Sequence, residues 1–255
     1  MKVIKLFTLI IILSLFTGMM AIGAQESEID NILFSTGSAN GTWMIIGAGI
    51  AEKANELFKG FPITATPGPG SVGNPPVVSG GDADLAMSYG PFLLLAIEGK
   101  SPYDKKFENL KAVCSLTPTV VHIYATPDIN ANTVEELISN KVKMTMGVPP
   151  TGQGSNYITK IIFSAMGVDE IEKMKEWGSK PYYASGPDLV SGWRDRHINV
   201  AISTYNVPAS AIDESLMGRE GKLLDMGEKL MDELVNRRGF SEYIIPAGTY
   251  HGPLA

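Results

Sequence analysis

Ser35-Thr36-Gly37-Ser38-Ala39-Asn40-Gly41-Thr42-Trp43 follows a short apolar run, Ile32-Leu33-Phe34, and opens a long helical pattern. The order is strand, small-residue turn, helix start. It leaves backbone N–H groups and hydroxyls at the positive end of a helix, where anions and carboxylates are favoured. Gly37 and Gly41 are spaced G-x-x-x-G, which is neither the dinucleotide fingerprint nor a P-loop. On its own such a turn reads more often as packing than as a ligand site. Its weight comes from recurrence.

The same arrangement returns along the chain. Trp43 to Lys59 reads as a helix with Ile46, Ile50, Ala54, Leu57 and Phe58 on one face and Thr42 as its cap. Phe61 to Thr66 reads as a strand, and Pro67 to Asn74 as a second glycine- and serine-bearing loop before a short helix from Pro75. Leu85 to Tyr89 is a short strand ending in Ser88 and Tyr89, followed by a helix over Phe92 to Glu98. Leu110 to Leu116 and Val120 to Thr126 read as consecutive strands, the second carrying the chain towards another lobe. Thr133 and Glu136 form a capping box. Lys143 to Val148 leads into a third such loop, Pro149 to Asn156, and a helix over Tyr157 to Met166. Ile198 to Thr204 is the last strand, and Val207 to Ser215 and Gly227 to Arg237 read as helices. Alternating strands and helices predict an α/β fold with parallel sheet covered on both faces. In such sheets ligands lie outside the strand C-termini.

The composition narrows the function. The chain has 255 residues and a formal net charge of −6. Lys2 and Lys5 precede an uncharged, mostly apolar run to Ala24 that closes on Ala21, Gly23 and Ala24, the form of a secretory signal peptide cleaved near Ala24. Its removal takes away two lysines and no acid, so the exported chain is still more acidic. That argues against nucleic acid and anionic lipid as partners. Cys114 is the single cysteine, so no internal disulfide is expected, and its apolar neighbours make it a core residue. His122, His197 and His251 are scattered and give no metal spacing. His122, in an apolar strand, reads as a core or hinge histidine. No Gly-x-Ser-x-Gly elbow is present, and no histidine is placed to activate Ser71 or Ser155. Asp82 and Asp84 read as a turn and a cap rather than a catalytic pair. Tyr182 and Tyr183 are equally balanced between a cleft and an ordinary surface.

Six segments, in this order, resemble the TAXI-type solute receptors of tripartite ATP-independent periplasmic (TRAP) transporters: Ser35 to Trp43, Thr66 to Val72, Ser79 to Ala86, Val148 to Ser155, Asn199 to Pro208, and Ile245-Pro246-Ala247-Gly248-Thr249-Tyr250. Ser79-Gly80-Gly81-Asp82-Ala83-Asp84-Leu85-Ala86 is an especially specific match. The resemblance implies a two-lobed, periplasmic-binding-protein-like (type II) fold with a ligand cleft between the lobes. Residues 1–24 are then the leader, 25–121 the first lobe, 122–235 the second, and 236–255 a segment returning towards the first. Relatives continue for several dozen residues past the position of Tyr250, so the first lobe is expected to be incomplete at its C-terminal side.

Carried over position by position, the resemblance places ligand contacts at Ser38, Thr42, Trp43, Ser71, Ser88, Tyr89, Gln153, Gly154 and Ser155, with Trp43 standing where a tyrosine is usual. Tyr205 and Asn206 replace a Gly-Gly pair and put bulk at a strand end beside the cleft. Asn156 stands where many relatives carry arginine, which weakens the expectation of strict dicarboxylate specificity. The function implied is a monomeric periplasmic receptor, without cofactor, metal or catalysis. It captures a small organic acid or amino acid of the glutamate or 2-oxoglutarate kind for a TRAP membrane permease. The alternatives are a ligand-sensing subunit for a signalling partner and, less well supported, an exported α/β hydrolase.

Overall fold

The computed structural model describes residues 31–251 other than 38, 40, 41, 59 and 61. The expected signal peptide and Ser38 lie outside the described residues. Within them, no helix is long and apolar enough to cross a membrane.

Two sheets organise the chain. The first has the order β2-β1-β3, built from β1 (Ile32–Ser35), β2 (Ile63–Thr66) and β3 (Leu85–Ala86), with β2 and β3 both parallel to β1. Helices α1 (Thr42–Leu57), α2 (Gly70–Gly80) and α3 (Gly90–Glu98) follow its three strands in turn. The second has the order β6-β5-β7-β4-β8, from β4 (Val120–Ala125), β5 (Thr145–Val148), β6 (Lys180–Tyr183), β7 (Val200–Tyr205) and β8 (Lys222–Leu223). Its helices are α4 (Val134–Ser139), α5 (Gly154–Ala165), α6 (Gly186–Arg194), α7 (Ser210–Gly218) and α8 (Glu228–Arg238), with a 3₁₀ helix over Ile171–Trp177. The fold is thus α/β and two-lobed. The three-strand motif of the first sheet, central strand first, then one neighbour on each side, recurs as β6-β5-β7. In the second sheet the far edge of β7 is covered by antiparallel β4, over Val120↔Tyr205 to Ala125↔Val200. No strand among the described residues covers the far edge of β3.

The second sheet is buried on both faces, and the period of two sorts its side chains. Ile123, Ala125, Met146, Val148, Val200 and Ile202 join the larger core, while Tyr124 and Ala201 join a smaller one around Trp193. Fully burying an aromatic such as Trp193, Phe92 or Phe163 contributes about 2–3 kcal/mol each. Phe92 and Ala96 of α3 belong to the larger core, so the third helix of the first lobe is packed into the second. Phe92 meets Tyr157 of α5 edge to face at 6.1 Å.

Several boundaries differ from the sequence reading. Leu110 to Leu116 is not a strand, and Cys114 is exposed rather than in the core. The run crosses between the sheets and pairs with neither; only Leu110 joins the larger core, and residues 111–116 are exposed. Helix α2 begins at Gly70, inside the expected loop, and carries Pro75 and Pro76 internally. An interior proline has no N–H for the carbonyl four residues back. The two carbonyls so released are both used: Ser71 O accepts from Ser88 Oγ at 2.8 Å, and Val72 O from Tyr103 Oη at 2.9 Å. The capping box holds in modified form, because Glu136 N–H donates to Thr133 Oγ1 while Glu136 Oε2 accepts from Asn132 N–H.

Candidate functional site

The loops at the strand C-termini of the first sheet are tied together by one buried amide. Asn74, fully buried in α2, donates from Nδ2 to Thr36 O at 2.7 Å and to Met87 O at 2.6 Å, while its Oδ1 accepts from Ser35 Oγ at 3.0 Å. The turns after β1 and β3 are thereby fixed to α2. The loop after β2 closes on the same knot through Gly68 N–H to Gly37 O at 2.9 Å. A Cβ on Gly68 would stand 2.1 Å from Ser35 Oγ and 2.8 Å from Asn74 Oδ1, so the close approach requires glycine.

On that platform the two lobes meet. Tyr89 precedes α3, and its ring receives Trp43 edge-on at 5.1 Å. Its phenol lies close to the hydroxyls of Thr204, at the end of β7, and of Thr119, before β4. Burial pushes the Tyr89 phenol above its usual range, and those two hydroxyls partly offset the rise. Opposite it stands the start of α5. A Cβ on Gly154 would lie 2.5 Å from Ser71 Oγ and 3.5 Å from Tyr89 Cε2. Ser155 Oγ and Thr204 Oγ1 share a hydrogen bond of 2.5 Å. Trp43, Ser71 and Tyr89 from one lobe therefore converge on Gly154, Ser155 and Thr204 from the other. Of the first N–H groups of α5, those of Asn156 and Tyr157 are taken by the Gln153 carbonyl, and those of Gly154 and Ser155 have no intrahelical acceptor.

The remaining predicted residues have other surroundings. Thr42 is the exposed first residue of α1. Ser88 is committed to the carbonyl of Ser71. Gln153 is the exposed N-cap of α5, with its carbonyl accepting from the N–H groups of Asn156 and Tyr157. Tyr205 sits with its ring 6.0 Å from that of His122. Tyr182 packs at 6.3 Å from His197, and Tyr183 hydrogen-bonds Glu172. Asn156 is buried, gives Nδ2 to Pro149 O at 2.8 Å, and has no partner for Oδ1 among the described residues.

Thr204, Thr119 and Asn74 were not singled out from the sequence. Thr204 could have been found, since it lies in the hydroxyl-rich strand end Ser203-Thr204-Tyr205-Asn206. The convergent groups are hydroxyls, N–H groups and aromatic rings. Such a set can give hydrogen bonds to polar oxygen atoms and offers aromatic faces beside them. Two hollows lie away from it. One, of about 320 Å³, is lined by Thr126, Asp128, Arg194, Arg196, Arg219 and Glu220. The other, of about 570 Å³, is lined by Pro76, Ser79, Tyr103 and Phe107 among others.

Comparison with known proteins gives a family match and distant structural likenesses. The model of the NMT1-like family matches residues 34–254. A TctC solute-binding protein from Polaromonas is 16% identical, with a TM-score of 0.48 over 76% of this chain and 65% of that one. A glycine betaine/carnitine/choline ABC transporter structure is 13% identical, with a TM-score of 0.46 over 78% and 75%. The periplasmic aliphatic sulphonate-binding protein SsuA from Escherichia coli is 12% identical, with a TM-score of 0.43 over 76% of this chain. The chain spans 59% of the length of that sulphonate-binding protein.

Proposed function

The chain belongs to the NMT1-like family, and on that premise we propose that it is an extracytoplasmic solute receptor of the TAXI type, serving a TRAP permease. The observation that carries the reading is the convergence of Trp43, Ser71 and Tyr89 on Gly154, Ser155 and Thr204 across two lobes. The six family-like segments supply the finer assignment, with lobes dividing near residue 121. The solute is a small organic acid or amino acid. Its carboxylate takes donors from the start of α5 and from neighbouring hydroxyls, and the lobes close on it by hinge motion. Ser71, Tyr89, Trp43, Gly154 and Ser155 contact it, and Ser88 holds the Ser71 loop in place. The receptor binds without chemistry, because no base stands beside a nucleophile in this set.

A thermal-shift panel of small organic acids, amino acids, sulphonates, phosphonates and quaternary amines on the exported chain tests the reading. Stabilisation by a carboxylate-bearing compound supports it. Stabilisation by another class alone overturns the substrate assignment.

A further inference from the structure

We propose that a hollow at the far end of the second lobe is a site for a tetrahedral oxyanion of the phosphate or sulfate kind, bound by Arg194, Arg196 and Arg219. The site is separate from the contact between the lobes, and it does not rest on the solute-receptor reading.

Its place follows from the strand directions. β4 runs antiparallel to β7 and to β8, so the end of β4 lies beside the starts of the other two. Three connections meet there. Thr126 to Asp128 follow β4, Arg194 and Arg196 lie between α6 and β7, and Arg219 and Glu220 join α7 to β8. Together they line the hollow of about 320 Å³. Thr204 and the start of α5 are at the opposite end of the sheet, because β5 is parallel to β7 and α5 follows β5.

The local charge runs against that of the chain. The chain is acidic, with a net charge of −6, and has five arginines. Arg237 and Arg238 pair with Glu233. The other three line this one hollow, and none of them is in an ion pair among the described residues. Asp128 and Glu220 share the lining. Burial pushes the Arg219 guanidinium below its ordinary value, and the Arg196 charge pushes it further than the Asp128 charge pulls it back. Repulsion between the two arginines is therefore left for a ligand to relieve.

Two of the three side chains are held in place. Arg219 gives Nη1 to Trp193 O at 3.0 Å and to Ile198 O at 2.8 Å, and it lies over the Trp193 ring at 5.2 Å. Of five N–H donors, a guanidinium so engaged keeps three. The stem of Arg194 runs along Gly218, where a Cβ would stand 2.7 Å from its Cγ and 3.3 Å from its Nε. Arg196 is exposed and completes the set. Each guanidinium fork matches a pair of anionic oxygens, and a pre-set fork loses little freedom on binding. Three forks around one hollow call for more oxygens than a carboxylate has. A tetrahedral dianion supplies them, and its charge offsets the surplus of arginine over acid.

Calorimetric titration of residues 25–255 with inorganic phosphate, sulfate and acetate in turn, at ionic strength held constant with chloride, tests the site. Phosphate and sulfate should each bind one ion per chain, with acetate about tenfold weaker or more. Arg194→Gln and Arg196→Gln alter exposed side chains, so each should keep the parent's melting temperature in phosphate-free buffer and weaken phosphate about fivefold or more. Asp128→Asn should tighten phosphate about twofold to fivefold, because a like charge leaves the lining. Thr204→Val, at the other end of the sheet, should leave phosphate affinity unchanged. Absence of phosphate and sulfate binding overturns the site, and acetate binding as tight as phosphate overturns the tetrahedral assignment. Phosphate affinity that is indifferent to both arginine substitutions, weakened by Asp128→Asn, or weakened by Thr204→Val overturns the location.

Discussion

The hydroxyl of Ser88 donates to the carbonyl oxygen of Ser71 at 2.8 Å, in place of the N–H that Pro75 lacks. A residue that resembles a ligand contact in sequence is thus spent on scaffold. Ser88→Ala should leave that carbonyl unpaired and cost about 1–3 kcal/mol of stability. Tyr103→Phe should act alike through Val72 O. Chemical denaturation of both variants checks this, with the midpoint moving to lower denaturant and the slope unchanged.

Asn74 joins the turns around the site through two donated hydrogen bonds and one accepted. Asn74→Asp keeps the volume but has no N–H to give to Thr36 O or Met87 O, and it buries a charge. It should destabilise by about 3 kcal/mol or more, at least as much as Asn74→Ala. Calorimetric melting of the two variants beside the parent measures the order.

His122 is fully buried, with Nδ1 donating to Val120 O at 3.0 Å and Nε2 accepting from Tyr250 Oη at 2.6 Å. Tyr205 and Tyr250 rings surround it, at 6.0 and 5.6 Å. Burial holds the imidazole below its ordinary value of 6.5, with the Val120 carbonyl partly offsetting. The unfolded chain therefore binds a proton near pH 6.5 that the native state refuses. This contribution to stability is complete above that pH and lost progressively as pH falls below it. Denaturation midpoints between about pH 5 and about pH 7.5 should show the loss, and His122→Gln should flatten it.

A methyl group on Gly154 would stand 2.5 Å from the Ser71 hydroxyl, so one of the two must shift. Gly154→Ala should hold the lobes apart at this point, weakening solute-driven closure about tenfold, or about 1–2 kcal/mol. Small-angle scattering with and without solute reads it as a smaller contraction than in the parent.

The sequence revealed most where periodicity was strong. Val120–Ala125 and Val200–Tyr205 are dense in β-branched and apolar residues, and both are strands within a residue or two of expectation. Lys180–Tyr183 was passed over because Lys-Pro-Tyr-Tyr lacks alternation, and Pro181 is admissible only because β6 is an edge strand. The antiparallel course of β4 was not legible, because direction depends on where the chain crosses between sheets. The family resemblance named Ser71, Gly154 and Ser155, which the fold brings close to one another and to Thr204. It could not find Asn74, whose role depends on three loops meeting it.

The central claim, a solute held between lobes and released unaltered, is tested most directly by titrating residues 25–255 with the carboxylate that stabilises them best. Nuclear magnetic resonance of the compound recovered afterwards completes the test. The account predicts one molecule bound per chain, weakened by Thr204→Val, and recovered chemically unchanged. A compound recovered altered, or binding that is indifferent to both Ser155→Ala and Thr204→Val, would contradict it.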